Sequence, residues 1–73
     1  MGSLQMIPTQ IYIGKRQAMM AEIGTPHYYD GAWLVQPVGE GTWDAEGFNT
    51  LDEACKEVEY LSGVWPGVPV FWL

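Results

Sequence analysis

The apolar positions of the chain change period several times, and each change marks an element. From Thr9 to Ile13, Ile11 and Ile13 alternate with Gln10 and Tyr12, the two-residue period of a strand, bounded by Pro8 and Gly14. Ala32 to Gln36 reads as a second strand, ended by Pro37. Gly39-Glu40-Gly41 supplies a hairpin turn, and Thr42-Trp43 starts the returning strand. From Thr50 onward the period lengthens: Leu51, Ala54, Cys55, Val58 and Leu61 form the inner stripe of a helix over about residues 50–62, with Asp52, Glu53, Lys56, Glu57 and Glu59 outside. Thr50 is placed as its N-cap, with Glu53 reaching back to the Thr50 amide. Gly63 is placed as a left-handed C-terminal residue, with Pro66 preventing continuation. A Pro66-Gly67 turn then leads into Val68 to Leu73, a strand whose Pro69 restricts it to an edge or to its first residues.

The segment Lys15 to Ile23 suits either structure. Its residues are good helix formers and Gly24 could close a helix. Its charges oppose that reading, because Lys15 and Arg16 fall at the positive end of the dipole and Glu22 near the negative end. A second strand, turned back on the first through Gly14 to Gln17, is preferred on that ground. The whole is a single small domain over 1–73 of the α+β class: a small antiparallel sheet of roughly three to five strands with one amphipathic helix packed on one face.

The strand faces carry a further expectation. Trp33 and Val35 share one face of their strand and Ala32 and Leu34 the other; Val68, Val70 and Trp72 oppose Phe71 and Leu73. Both faces are apolar, yet one helix covers only one face of a sheet. The other must lie under the N-terminal segment, under a loop bearing Tyr28 and Tyr29, or under another chain. The concentration of apolar residues at Trp65, Val68, Val70, Phe71, Trp72 and Leu73 favours another chain, with self-association as its commonest form.

Charge sharpens this picture. The net charge is −6, and the first thirty-nine residues are balanced by Lys15, Arg16, Glu22 and Asp30. The excess lies in Glu40, Asp44, Glu46, Asp52, Glu53, Glu57 and Glu59, and no charged side chain follows Glu59. With three basic residues in all, the phosphate-neutralising contribution that dominates nucleic-acid affinity is missing. A chain of this length buries only about 60% of its unfolded surface, and its ten aromatic residues offer burial that a short chain otherwise lacks. No apolar run reaches the length of a membrane span, no signal-peptide pattern opens the chain, and Cys55 is the single cysteine; a cytoplasmic setting is expected. Met1-Gly2-Ser3 ahead of Met6 reads as a vector-derived leader, so Met1 to Gln5 carry no weight in the fold.

Candidate chemistry is sparse. His27, the one histidine, lies near Asp30, but its nucleophile would have to be Cys55, Ser62 or a threonine, and Cys55 sits on the apolar stripe where a thiol acts as a small hydrophobe. One His and one Cys build no structural zinc site, the carboxylates lack calcium-loop spacing, and Gly39-Glu40-Gly41 lacks the lysine of a phosphate cradle. No cofactor, metal or catalytic set is expected.

The run Gly47 to Ala54, entering a helix after a Trp-containing hairpin, resembles the strand-to-helix junction of small sheet-plus-helix domains in phage and mobile-element proteins. Some DNA-binding domains share that outline but carry basic sheets, which this chain does not. The sequence therefore points to a non-enzymatic interaction module, self-associating as a homodimer through its C-terminal strand. Glu40, Asp44, Glu46, Asp52, Glu53, Glu57 and Glu59 would form an acidic surface, and a sharper form of the expectation is a mobile-element inhibitor whose acidic face imitates nucleic acid. The rival is an oligomeric small-ligand binder or enzyme with Trp33, Trp43, Tyr28 and Tyr29 around an intersubunit pocket.

Overall fold

Two helices and four strands follow one another as β1 (Gln10–Lys15), α1 (Arg16–Ile23), β2 (Trp33–Val38), β3 (Glu46–Phe48), α2 (Leu51–Val64) and β4 (Val70–Trp72) in the computed structural model, which describes residues 7–41 and 43–73. The leader reading of Met1 to Gln5, and Thr42 as the start of a returning strand, lie outside the described residues. The α+β class, the small sheet and the helix on one face are as the sequence indicates. The four strands run in the order β3-β2-β1-β4. β2 pairs antiparallel with both β1 and β3, while β4 joins the free side of β1 in parallel, so the sheet is mixed.

α2 starts as the sequence predicts. The Thr50 hydroxyl accepts from the Glu53 amide at 3.2 Å, satisfying one orphan donor and contributing about 1 kcal/mol. Glu53 does reach back, but its carboxylate accepts from the Thr50 hydroxyl at 3.0 Å rather than from the Thr50 amide. The expected end at Gly63 is corrected: the helix runs on to Val64, and Trp65 caps it with its amide on the Leu61 carbonyl at 2.8 Å. Pro66, not a left-handed glycine, stops the helix. Beneath α2, Ala54 and Leu61 meet Ile11, Ile13 and Val35 of the sheet, with Trp33, Phe48, Cys55, Val58, Trp65, Val68 and Val70 packed around them. Leu51 does not join this stripe; at 39% exposure it lies at the solvent edge of the first turn.

Pro37, expected to end β2, lies buried inside it, in register with Ile11. Arg16 donates to the Ala32 carbonyl, and that bond fixes the phase of the β1–β2 ladder: the even-numbered residues of β2 exchange hydrogen bonds with β1 and the odd-numbered ones face away. The Pro37 nitrogen therefore points to the β3 side. β3 is already past its end there, because it pairs only with Trp33 to Val35. The missing N–H therefore breaks no bond of the β2–β3 ladder. The returning strand begins at Glu46, later than Trp43.

The preferred hairpin for Lys15 to Ile23 is overturned, since this segment is α1. The charges that argued against a helix are engaged elsewhere: the Lys15 ammonium lies 5.8 Å from the Trp33 ring centroid, and Arg16 donates to the Tyr29 carbonyl at 3.5 Å. Gly24, at φ 71°, closes the helix in the left-handed region and returns its amide to the Met20 carbonyl, with Thr25 bonded back to Met19. Packing supplies the rest, because Met19 is fully buried.

α1 and the loop after it also answer what covers the second face. Leu34, on the side of β2 away from α2, is 0% exposed. Thr25 donates its hydroxyl to the Gln36 side chain on that same side at 2.7 Å, and the Asp30 carbonyl lies against Gly47 of β3. Covering this half of the face needs no second chain, contrary to the expectation. Among the described residues, what stays open is the other half, along β1 and β4.

Candidate interaction edge

The residues expected to form an apolar surface divide in two. Trp65, Val68 and Val70 pack against the core under α2. Phe71, Trp72 and Leu73 are 45%, 58% and 38% exposed and form the outer edge of the sheet. Tyr12, which the alternation of its strand pointed away from Ile11 and Ile13, extends this edge inward. Its ring lies 5.7 Å from that of Phe71, at 32° between planes, and its hydroxyl takes a hydrogen bond from Gln10. Sequence reading left Tyr12 out of the candidate surface because the parallel pairing of β4 with β1 had no local signal.

β4 offers hydrogen-bonding groups as well as apolar area. The Pro69 carbonyl accepts from Ile11 and the Leu73 amide donates to Ile13, both at 2.9 Å. Residues of odd number in this strand thus face β1. By the alternation of a strand, the N–H and C=O of Val70 and Trp72 face the open side of the sheet. The amide that Pro69 lacks belongs to the β1 side, so the outer row has no gap.

Two of the acidic residues meet at the opposite edge. Glu46 lies on β3, the far strand of the sheet, and faces Glu57 of α2, while Asp52 makes an exposed i,i+4 pair with Lys56 at 3.6 Å. Partial burial, and then the hydrogen bond and charge of Glu46, hold the Glu57 carboxyl above the usual range. A carboxyl raised in the folded state binds its proton more tightly than in the unfolded chain. Its favourable contribution is therefore complete at low pH and is lost as pH rises through its folded value. Glu57→Gln is expected to raise the thermal midpoint at neutral pH, with the gain shrinking toward zero below about pH 4, as thermal melts across pH would show.

The other candidate residues are not brought together. His27 is exposed in the loop on the α1 side of the sheet, whereas Cys55 is half-buried beneath α2 on the other side. Tyr28 stacks on Tyr29 at 4.7 Å, Trp43 meets Trp65 edge-on at 5.5 Å, and Trp33 lies by Lys15. Hydrogen bonding with Tyr28 above all, then burial and Asp44, push the Tyr29 phenol up to about 12, so it stays protonated at neutral pH. An open cleft of about 660 Å³ at the start of α1 is lined by Lys15, Arg16, Gln17, Ala18, Gly31 and Ala32, none of them a nucleophile paired with a base. Among the described residues no three His, Cys, Asp or Glu side chains gather as a metal site, and no helix is long and apolar enough to cross a membrane.

Comparison with protein-family models, with curated proteins and with solved structures returned no match.

Proposed function

We propose that this chain is a non-enzymatic protein-interaction module that associates with a second copy of itself through its C-terminal strand. The observation that carries the reading is the polarity of the sheet: β4, at one edge, exposes Phe71 and Trp72 with no charged residue after Glu59, while Glu46 and Glu57 mark the other edge. Two molecules of net charge −6 repel over most approaches. They meet with least opposition where their uncharged edges face each other, and burying two aromatic side chains per chain there supplies a favourable contribution. The acidic edge serves as the solvated, solubilising surface.

Light scattering on size-exclusion peaks tests this. The intact chain is expected at twice its monomer mass. Phe71→Lys is expected at the monomer mass with an unchanged circular dichroism spectrum, because the side chain is exposed and the substitution places a charge at the contact. An intact chain that stays monomeric at its highest soluble concentration overturns the proposal. Truncation after Gly67 would be a poorer test, since it removes the strand that completes β1.

A further inference from the structure

Resting on that self-association, we infer the form it takes: two β4 strands pair antiparallel about a two-fold axis at Phe71, joining two four-stranded sheets into one continuous sheet. The phase of the open edge selects this register. Only Val70 and Trp72 direct both backbone groups outward, as fixed by the bonds of Pro69 and Leu73 to β1. In an antiparallel pair, residues that exchange hydrogen bonds must both be outward-facing. Centring the axis on Phe71 sets Val70 opposite Trp72 of the second copy, and Trp72 opposite its Val70. Each of those pairs exchanges two N–H···O=C bonds, so all four outward groups of each strand are used. A register centred on Val70 sets Trp72 opposite Val68 of the second copy, whose amide already donates to the Trp65 carbonyl, and one centred on Trp72 leaves Val70 facing no residue of the strand.

The side chains agree with the backbone. Phe71 would face its own counterpart as a non-hydrogen-bonded pair, the arrangement in which Cα atoms approach to about 4.5 Å and side chains meet most closely. Tyr12 stands beside it at 5.7 Å and extends the aromatic cluster on that side of the sheet. On the α2 side, Val70 meets Trp72 of the second copy twice, a β-branched and aromatic pairing that favours sheets. No charge enters any of these pairs. The contact is isologous and closes on itself, which caps the assembly at a dimer because β3, the remaining edge, is short and carries Glu46. A charged partner has nothing to recognise at this edge, whereas a second copy matches it in hydrogen-bond phase, apolarity and neutrality.

Disulfide trapping distinguishes this register from association in general. In a full-length Cys55→Ser background, Phe71→Cys, Val70→Cys and Trp72→Cys are each oxidised and followed on non-reducing gels. Phe71→Cys is expected to cross-link on the order of ten-fold faster than either neighbour alone, since only its two sulfurs lie across the axis at bridging distance. Mixing the Val70→Cys and Trp72→Cys chains is expected to restore rapid cross-linking between them. This second measurement keeps the test decisive should removal of the Phe71 ring weaken the dimer. If the unsubstituted chain is dimeric but Val70→Cys or Trp72→Cys self-cross-links fastest, or mixing gives nothing, the register is overturned and the association reading stands. If the unsubstituted chain is monomeric, both fail.

Discussion

Gly47→Ala is expected to cost about 3 kcal/mol of folding free energy or more, as a shift of the urea midpoint would report. A Cβ built at Gly47 falls on the carbonyl oxygen of Asp30, inside any van der Waals separation, with the carbonyl carbon at 2.7 Å. The obstacle is main chain on both sides. β3 is held in register with Leu34 of β2, and Asp30 belongs to the loop that folds over this end of the sheet, so no side chain can swing aside. Domains of this size have total stabilities of about 4–11 kcal/mol, and the substitution removes a large share of that. The effect should appear as unfolding, since Gly47 lies at the opposite edge of the sheet from β4.

Leu34→Ala should be nearly as severe, at about 2–5 kcal/mol, because its side chain is wholly buried and truncation leaves a cavity. The magnitude discriminates between two views of the sheet. Were this half of the second face open to water, the same substitution would fall within about 0.5 kcal/mol of neutral. A large loss by chemical denaturation, in dilute solution where chains do not associate, places the cover within the chain, in α1 and the segment through Thr25.

Much of this architecture was legible because short-range rules were consistent with one another. Thr50 and the acidic first turn of α2, the stripe of Ala54, Val58 and Leu61, and the alternation of Ile11 with Tyr12 all follow from spacing alone. Pro69 likewise signalled an edge, and β4 is one. The failures came where a residue's partner was distant in sequence. Lys15 and Arg16 looked misplaced at a helix start until Trp33 and the Tyr29 carbonyl were there to receive them. Pro37 looked like a terminator because its tolerance depends on where β3 ends, at Glu46, nine positions away along the chain. Gly63 looked like a cap, but the turn made by Trp65 and Pro66 left it inside the helix. Of the candidate surface, Phe71, Trp72 and Leu73 could be named from composition; that Val70 faces the core cluster while presenting its backbone outward required the register.

The parallel pairing of β4 with β1 has a consequence for how the chain acquires its structure. Ile11 waits for Val70, and Ile13 for Trp72, across almost the whole of the sequence, so the central strand has only one hydrogen-bonded side until α2 has formed and the chain has doubled back. Contacts of such separation must meet their loop-closure cost before they return anything, which slows the final step relative to the local formation of α2 and the β2–β3 hairpin. During that interval β1 is a bare edge with Ile11 and Ile13 beside it, the kind of site at which a nascent or refolding chain captures a strand from a neighbour. Refolding yield is therefore expected to fall as concentration rises, with β4 the last strand to arrive and the guard on the strand before it.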